Sequence, residues 1–178
     1  MILTGDEIQH ELKAKRIVIS PFAQESIEPN SYGFRLDSNL ICYDNKVIDA
    51  CEKPIEHHYQ ITKTGFCLKL GHFYLGSTLE TMGSDFYAAT LHARRSVSTM
   101  GMWIQFSAPL GHTGAKIPWT LEIMVAHPII VYPGMLIGKI AFWQPLGDCI
   151  RYKGKYTAST DVVASRLSQE LYSKQGGF

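Results

Sequence analysis

The sequence predicts a mainly β protein, a barrel or sandwich with a short helix near its start and a helix or tail near its end. Short runs rich in Val, Ile, Tyr and Phe recur along the chain, separated by Gly, Pro, Asp and Asn. This spacing is typical of β-strands joined by turns. The sequence contains no internal repeat, coiled-coil heptad or Rossmann glycine pattern, which agrees with an all-β class.

Composition and charge limit the classes of partner. The 178 residues are 46% hydrophobic, so we expect a single domain over residues 1–178 with its own core. The formal net charge is +1, so no global basic field indicates a nucleic-acid partner, and any anion site must be local. We recognise no signal peptide and no apolar run of bilayer length. We therefore expect a cytoplasmic protein with no membrane partner.

Cysteine and histidine positions give no metal signature. The four cysteines stand at positions 42, 51, 67 and 149, and none forms a Cys-x-x-Cys pair, so we expect reduced thiols and no zinc site. His57 and His58 fall in the polar stretch 51–60, which we interpret as a loop. Adjacent residues of a strand face opposite ways, and a loop pair is better explained by solvated side chains than by a metal site.

The first elements are a helix and three strands. Residues 4–7 have the capping-box pattern, and Ile8 and Leu12 lie one turn apart on the same face, so we predict a helix over about residues 5–15. Strands are predicted at residues 17–19, 31–36 and 40–43, the last closed by a turn at Asp44-Asn45.

The middle of the chain continues with β-prone runs. Strands are predicted at residues 66–70 and 73–78 around a turn at Gly71-His72, followed by a connector at 81–85 and a strand at 86–92. Further along, a strand, a Tyr-Pro-Gly turn at 132–134 and another strand follow each other.

The last residues differ from the rest. Val163, Leu167 and Leu171 lie four residues apart, which predicts a closing helix. Asp161 is the candidate N-cap of this helix, and Gly176-Gly177 lies at or beyond its end.

The stretch from residue 93 to residue 142 holds the candidate chemistry. Glu122 lies in an apolar run, where a carboxylate is costly unless it is paired or used. Arg94, Arg95, Ser96 and Ser98 supply the donors that a polyphosphate needs. These residue types indicate an anionic ligand held near a general base. The alternative is an outward-facing glutamate and a loop with solvated arginines.

Several motifs follow one another in a recognisable order. They are Arg-x-Ser at 94–96, a glycine loop at 111–114, Thr-Leu-Glu-Ile at 120–123 and Pro-Gly-Met-Leu-Ile-Gly at 133–138. Residues 1–8 and 29–36 add to them, as do Lys155-Tyr156 and Ser165-Arg166-Leu167. Together they resemble the dCTP deaminase group of the trimeric dUTPase-like superfamily. The resemblance implies a distorted β-barrel or jelly roll, a pyrimidine nucleotide substrate, Mg²⁺ on the phosphates, and a homotrimer with sites at subunit interfaces.

The resemblance also implies roles for individual residues. The reaction would be zinc-independent hydrolytic deamination of a cytosine nucleotide, dCTP to dUTP or a related conversion, with Glu122 as general base. Arg94 and Ser96 would contact the triphosphate, and the backbone oxygen of Ala108 would lie near the reacting amine. The tail would add nucleotide-binding residues at Tyr152, Lys155, Tyr156, Ser159 and Arg166.

Some positions depart from the family's pattern. Arg95 replaces a serine that helps to position the catalytic water, and Thr99 replaces an arginine beside the glutamate. His112 replaces the aspartate that holds the sugar 3′-hydroxyl or acts as base in dUTP hydrolysis, and Ser159 replaces a glutamine. Arg95 adds a positive charge that either binds phosphate or pairs with Glu122, and such pairing would weaken the base. The change from an acidic side chain to His112 should alter sugar or phosphate recognition.

Three functions remain open on the sequence. The first is a pyrimidine-nucleotide deaminase with an altered substrate preference. The second is a hydrolase on the same fold that cleaves a phosphoanhydride or N-glycosidic bond, although His112 removes the usual base for dUTP hydrolysis. The third is a non-catalytic nucleotide-binding homologue, which the loss of the partners of Glu122 favours and the retained glutamate opposes.

Overall fold

The computed structural model describes residues 1–44, 47–105 and 107–175. In these residues the protein is mainly β, as predicted. The helices are α1 (Gly5–Lys13), a short 3-10 turn (Gln24–Ser26), α2 (Arg95–Thr99) and α3 (Leu167–Gln175). The strands are β1 (Ile17–Ser20), β2 (Ile27–Glu28), β3 (Ser31–Arg35), β4 (Asn39–Tyr43), β5 (Glu56–Gln60), β6 (Phe66–Leu68), β7 (Tyr74–Ser84), β8 (Ala88–Ala93), β9 (Met102–Trp103), β10 (Leu110–Gly111), β11 (Lys116–Val125), β12 (Ile129–Val131) and β13 (Leu136–Trp143).

Two antiparallel sheets supply most of the core. The first has the strand order β5-β4-β7-β11-β9, with β1 also paired to β7, and the second has the order β10-β8-β13-β3-β2. A third, two-stranded sheet joins β12 to β6. Tyr32 and Phe34 of β3, Leu121 and Ile123 of β11 and Phe142 of β13 are fully buried in one hydrophobic cluster. The core therefore contains side chains from both large sheets.

The predicted N-terminal helix is confirmed and ends two residues early. The Thr4 hydroxyl accepts a hydrogen bond from the Glu7 amide at 3.3 Å, as the capping pattern requires, and Ile8 is fully buried. Glu11 is also buried, with Arg16 Nε at 2.5 Å and the Tyr87 hydroxyl at 2.8 Å from its Oε2. The hydrogen bond from Arg16 lowers the pKa of Glu11 and thereby stabilises the charged form of this buried side chain.

Strand β7 is longer than predicted and lies at the centre of its sheet. The predicted connector at residues 81–85 is wrong, because β7 continues to Ser84. Thr81 faces Ser20 of β1 and Pro118 of β11, and Gly83 faces Val18 and Lys116. Partners on both sides hold this polar part of the chain in the sheet, although its residues carry a weak β signal.

The predicted loop at residues 51–60 is wrong over its second half. Glu56–Gln60 form β5, which pairs antiparallel with β4, so that His57 faces Cys42 and His58 faces Ile41. His57 Nε2 lies 3.0 Å from Asp44 Oδ2, and His58 Nε2 lies 3.3 Å from Glu56 Oε2. An edge strand exposed to solvent needs no apolar alternation, which explains why the pattern did not reveal it. Asn45 of the predicted Asp44-Asn45 turn lies outside the described residues.

The closing helix is confirmed, but its predicted cap is wrong. α3 begins at Leu167, six residues after Asp161, so Val163 precedes the helix. The Asp161 carboxylate accepts hydrogen bonds from Asn39 Nδ2 at 2.8 Å and from the Ser77 hydroxyl at 3.5 Å. Asp161 therefore fastens the chain before α3 to β4 and β7. Gly176 and Gly177 lie outside the described residues.

A buried ion pair links the two large sheets. Glu80 of β7 is fully buried, and its carboxylate accepts hydrogen bonds from Arg35 Nε at 2.6 Å and from the Arg35 backbone amide at 2.9 Å. Because β3 and β7 belong to different sheets, the pair ties one sheet to the other.

All four cysteines are free thiols. No helix within the described ranges is long and apolar enough to cross a membrane.

Candidate active site

Strand β11 presents Glu122 on the face opposite the core. Leu121 and Ile123 are fully buried, whereas Glu122 between them is half-buried, as the alternation of side chains along a strand requires. The register of β11 against β7 shifts between Pro118 and Thr120. Such a bulge bends a strand and redirects the side chains beside it, here immediately before the glutamate.

Glu122 lines a cavity of about 400 Å³, a volume within the usual range of small-molecule sites. Its apolar and aromatic walls come from Tyr43, Phe73, Leu75, Ile117, Trp119 and Val163. Its polar wall includes Gln105, Thr120, Glu122, Ser159 and Ser165. The cavity therefore offers flat apolar surfaces and a few polar groups, which is suited to a heteroaromatic ring.

Ile104, Ser107 and Ala108 lie close to Glu122. The Glu122 amide donates to the carbonyl oxygen of Ile104 at 3.0 Å, and the Ser107 amide donates to Glu122 Oε2 at 3.0 Å. The Ala108 carbonyl oxygen accepts a hydrogen bond from Gln105 Nε2 at 2.8 Å. Ala108 lines the same cavity, so the chain places this sequence-predicted residue close to the candidate base.

Trp119 is a fixed wall of the cavity that the sequence analysis did not single out. Its indole Nε1 donates to the Met82 carbonyl oxygen at 3.0 Å, and its backbone amide donates to the Thr78 hydroxyl at 2.9 Å. A Cβ at Gly111 would stand 2.6 Å from the indole ring. The glycine is therefore required by the close approach of the tryptophan.

Residues 152–166, which we call the C-terminal tail, cover one side of the cavity. The Val163 amide donates to the Thr120 hydroxyl at 3.2 Å, and the Ser165 amide donates to the Tyr43 hydroxyl at 2.8 Å. Through these bonds the tail closes against two residues of the cavity wall. Tyr156 and Ser159, both predicted to bind nucleotide, line the cavity.

Lys155 and Arg166 hold the tail together. Lys155 Nζ donates to the Arg166 carbonyl oxygen at 3.2 Å and to Glu170, and it lies 5.0 Å from the ring centroid of Tyr156. The Arg166 guanidinium carbon lies 5.4 Å from the same centroid, and the Arg166 amide donates to the Tyr156 hydroxyl at 3.2 Å. Both cations therefore pack around Tyr156, a residue of the cavity wall.

His112 and Tyr152 form a second contact between the tail and the glycine loop. Their rings are stacked, with centroids 5.5 Å apart and an interplanar angle of 21°. The Tyr152 amide donates to the Thr113 carbonyl oxygen at 2.7 Å. Of the described residues, those lining the Glu122 cavity do not include either ring.

The predicted phosphate-binding residues Arg94 and Ser96 lie at α2, together with Arg95 and Thr99, which the resemblance placed near the catalytic glutamate. Arg94 precedes this helix, and its guanidinium Nη2 lies 3.6 Å from Glu28 Oε1. Arg95, Ser96 and Thr99 are exposed on α2. Within the described part of the chain, none of these four residues lines the Glu122 cavity. One chain thus separates the sequence-predicted residues into a cavity group and an α2 group.

Comparison with known proteins identifies the family. The fold and the cavity define a β-class protein with a cavity of small-molecule size that is lined by a carboxylate. Residues 2–145 match the dCTP deaminase-like family. The chain therefore belongs to the dCTP deaminase-like family of enzymes, which confirms the resemblance seen in the sequence.

The relatives match over nearly the whole chain. The protein of Hathewaya histolytica named "dCTP deaminase, dUMP-forming" is 36% identical over 172 residues, which cover 96% of this chain and 99% of the relative. The protein of Rhodopirellula baltica named "dCTP deaminase" is 34% identical over 172 residues, which cover 96% of this chain and 86% of the relative.

A solved structure supports the fold. The crystal structure of 2′-deoxycytidine 5′-triphosphate deaminase from Agrobacterium tumefaciens matches with a TM-score of 0.63 at 17% sequence identity. The match covers 79% of this chain and 47% of that one, so this chain matches about half the length of the solved protein. The predicted dUTPase-like architecture is confirmed, while the low identity limits the match to the fold.

Proposed function

We propose that this protein deaminates dCTP by zinc-independent hydrolysis in the cavity around Glu122. The observation that carries the proposal is a half-buried carboxylate on β11, beside an aromatic-walled cavity of about 400 Å³. The names of the relatives support dCTP as the substrate. Neither cleavage of a phosphoanhydride or N-glycosidic bond as the sole activity nor a non-catalytic role has comparable support.

The residues of the cavity have separate tasks in the proposed reaction. Glu122 takes a proton from a water molecule while the water oxygen bonds to C4 of the cytosine ring. The electron pair of the C4–N3 double bond moves to N3 during this attack. The proton then passes from Glu122 to the exocyclic amino nitrogen, its bond to C4 breaks as the C4–N3 double bond re-forms, and ammonia leaves. The remaining hydroxyl proton moves from O4 to N3, which gives the uracil nucleotide. The carbonyl oxygen of Ala108 accepts a hydrogen bond from the departing amine, and the ring of Trp119 packs against the cytosine ring.

We propose dUMP as the final product, because the Hathewaya histolytica and Clostridium acetobutylicum relatives are both named as dUMP-forming. A second water would cleave the bond between the α- and β-phosphates of dUTP and release pyrophosphate. His112 stands where the resemblance expects an aspartate base, and an imidazole nitrogen is also able to accept a proton.

The Mg²⁺ ion is proposed to enter with the substrate. Among the described residues, no three His, Cys, Asp or Glu side chains are grouped so that they could hold a metal ion. We therefore place Mg²⁺ on the triphosphate oxygens, its preferred type of ligand. A single domain over residues 1–178 and a cytoplasmic location stay predictions from the sequence.

The expected result of a direct assay is stoichiometric ammonia release from dCTP in the presence of Mg²⁺, together with dUMP and pyrophosphate. Ammonia is measured by a coupled assay and the nucleotides by chromatography. Accumulation of dUTP with ammonia would support deamination and contradict dUMP as the product. Pyrophosphate without ammonia, or thermal stabilisation by dCTP without any product, would contradict the proposed function.

We further propose a homotrimer whose sites lie between subunits. Support comes from the separation of Arg94 and Ser96 from the lining of the Glu122 cavity within one chain. In a shared site, the α2 group of one subunit would bind the phosphates of a nucleotide whose base lies in the cavity of its neighbour.

Subunit complementation tests this arrangement. The variants Arg94→Ala and Glu122→Gln should each lose most of the activity alone, whereas mixed oligomers made by co-expression should regain part of the ammonia-releasing activity. In a mixed oligomer, some interfaces combine the intact Arg94 of a Glu122→Gln subunit with the intact Glu122 of an Arg94→Ala subunit. Mixed oligomers as inactive as the single variants, or a fully active monomer in light scattering, would contradict shared sites.

A further inference from the structure

Gln105 lies between two residues that contact the candidate base. It follows β9, at the point where that strand leaves its pairing with Met124 and Val125 of β11. The carbonyl oxygen of the preceding residue, Ile104, accepts a hydrogen bond from the Glu122 amide, and the Ser107 amide donates a hydrogen bond to the Glu122 carboxylate. Gln105 is therefore flanked in the sequence by two residues that are hydrogen-bonded to Glu122, and its side chain lines the Glu122 cavity.

The orientation of the Gln105 amide is set by its neighbour. Nε2 lies 2.8 Å from the carbonyl oxygen of Ala108, which accepts hydrogen bonds and cannot donate them. A flipped amide would place two acceptor oxygens against each other, so the nitrogen must face Ala108. The side chain thereby fixes the Ala108 carbonyl relative to Glu122.

The oxygen of the same side-chain amide has no hydrogen-bond donor among the described residues. Gln105 Oε1 is buried, and the described residues offer it no hydrogen-bond partner. Buried acceptors of this kind are rare in folded proteins, and an ordered water or a functional role commonly explains them. In a cavity-lining residue beside a candidate base, the missing donor is most simply the O–H of the attacking water.

We propose that Gln105 is a further catalytic residue of the deamination site, an inference that rests on the proposed function. Its Oε1 accepts a hydrogen bond from one O–H of the water while Glu122 takes the proton of the other, and its Nε2 holds the Ala108 carbonyl towards the departing amine. The water is thereby oriented by two acceptors, which fixes its lone pair towards C4.

The variant Gln105→Met removes both functions of the amide with little change in volume. We expect kcat for ammonia release from dCTP to fall by about 10- to 100-fold, in the range of a lost positioning contact, with KM changed less than about threefold. The melting temperature should change little, because the lost hydrogen bond to the Ala108 carbonyl is offset by removing the desolvation cost of a buried acceptor. Gln144→Met, at an exposed position after β13, is the matched control and should behave as wild type.

The variant Gln105→Glu supplies a pH signature. A protonated carboxyl group has one donor and one acceptor, like the amide, whereas the carboxylate has no donor. The activity of Gln105→Glu relative to wild type should therefore increase as the pH is lowered. A purely structural role would make the melting temperature of Gln105→Glu follow the same pH dependence, whereas the proposed role changes kcat at constant melting temperature. The Gln105→Glu variant also provides a test if Gln105→Met does not fold.

The outcomes separate the inference from the proposed function. If the wild type releases no ammonia from dCTP, both are overturned. If the wild type is active and Gln105→Met keeps at least half of its kcat, the Gln105 inference alone is overturned. It is also overturned if the loss of kcat comes with a clear fall in melting temperature, or if the relative activity of Gln105→Glu does not change with pH.

Discussion

Replacing Glu122 with glutamine is expected to lower kcat for ammonia release by about a thousandfold, the middle of the range for removal of a general acid–base group. The amide keeps the size of the side chain, and its oxygen can still accept the Ser107 N–H that now lies 3.0 Å from Oε2. It cannot take a proton from water. KM for dCTP and the melting temperature should therefore change little, and kcat should carry the effect.

Glu56→Gln is the matched control for this prediction. Glu56 is also a half-buried strand glutamate, but it belongs to β5 and pairs with Lys53 and His58. Its variant should retain wild-type kcat. A Glu122→Gln protein that releases ammonia as fast as the control would remove Glu122 from the mechanism.

The largest effect on stability is expected from Arg35→Met. This substitution removes the guanidinium that lies 2.6 Å from the fully buried carboxylate of Glu80. Removing one partner of a buried pair leaves an uncompensated charge and typically costs about 3–5 kcal/mol. For a chain of this length, that corresponds to a fall in melting temperature of roughly 6–20 °C. Differential scanning calorimetry at matched protein concentration measures it.

Two further variants make the interpretation specific. Lys53→Met breaks an exposed pair, in which Lys53 Nζ lies 3.2 Å from Glu56 Oε1, and should cost at most about 1 kcal/mol. Adding Glu80→Leu to Arg35→Met should restore part of the lost stability, since no buried charge is then left alone. Equal melting temperatures for Arg35→Met and Lys53→Met would contradict the structural role of the buried pair.

The fold was predictable where local signals and tertiary structure agree. The capping pattern at Thr4 predicted α1 because both its cap and its buried face are encoded within one turn. β5 escaped prediction because an edge strand tolerates polar residues on both faces, as His57 and His58 show. The end of β7 escaped because its pairing partners, β1 and β11, lie far away in the sequence.

The candidate site was predictable only in part. Glu122 was found because a carboxylate is unusual in an apolar run. Gln105 and Trp119 carry no comparable signal, since their roles depend on contacts that only the folded chain creates. Asp161 has the residue type of a helix cap, yet it binds Asn39, which is 122 positions away. No local pattern distinguishes these two uses of an aspartate.

A crystal structure of the Glu122→Gln variant with dCTP and Mg²⁺ tests the central claim most directly. The account predicts that the cytosine ring lies in the cavity against Trp119, with C4 about 3–3.5 Å from a water held by residue 122 and the amino group directed at the Ala108 carbonyl. A nucleotide whose base lies outside this cavity, with residue 122 in contact with neither water nor ring, would contradict it.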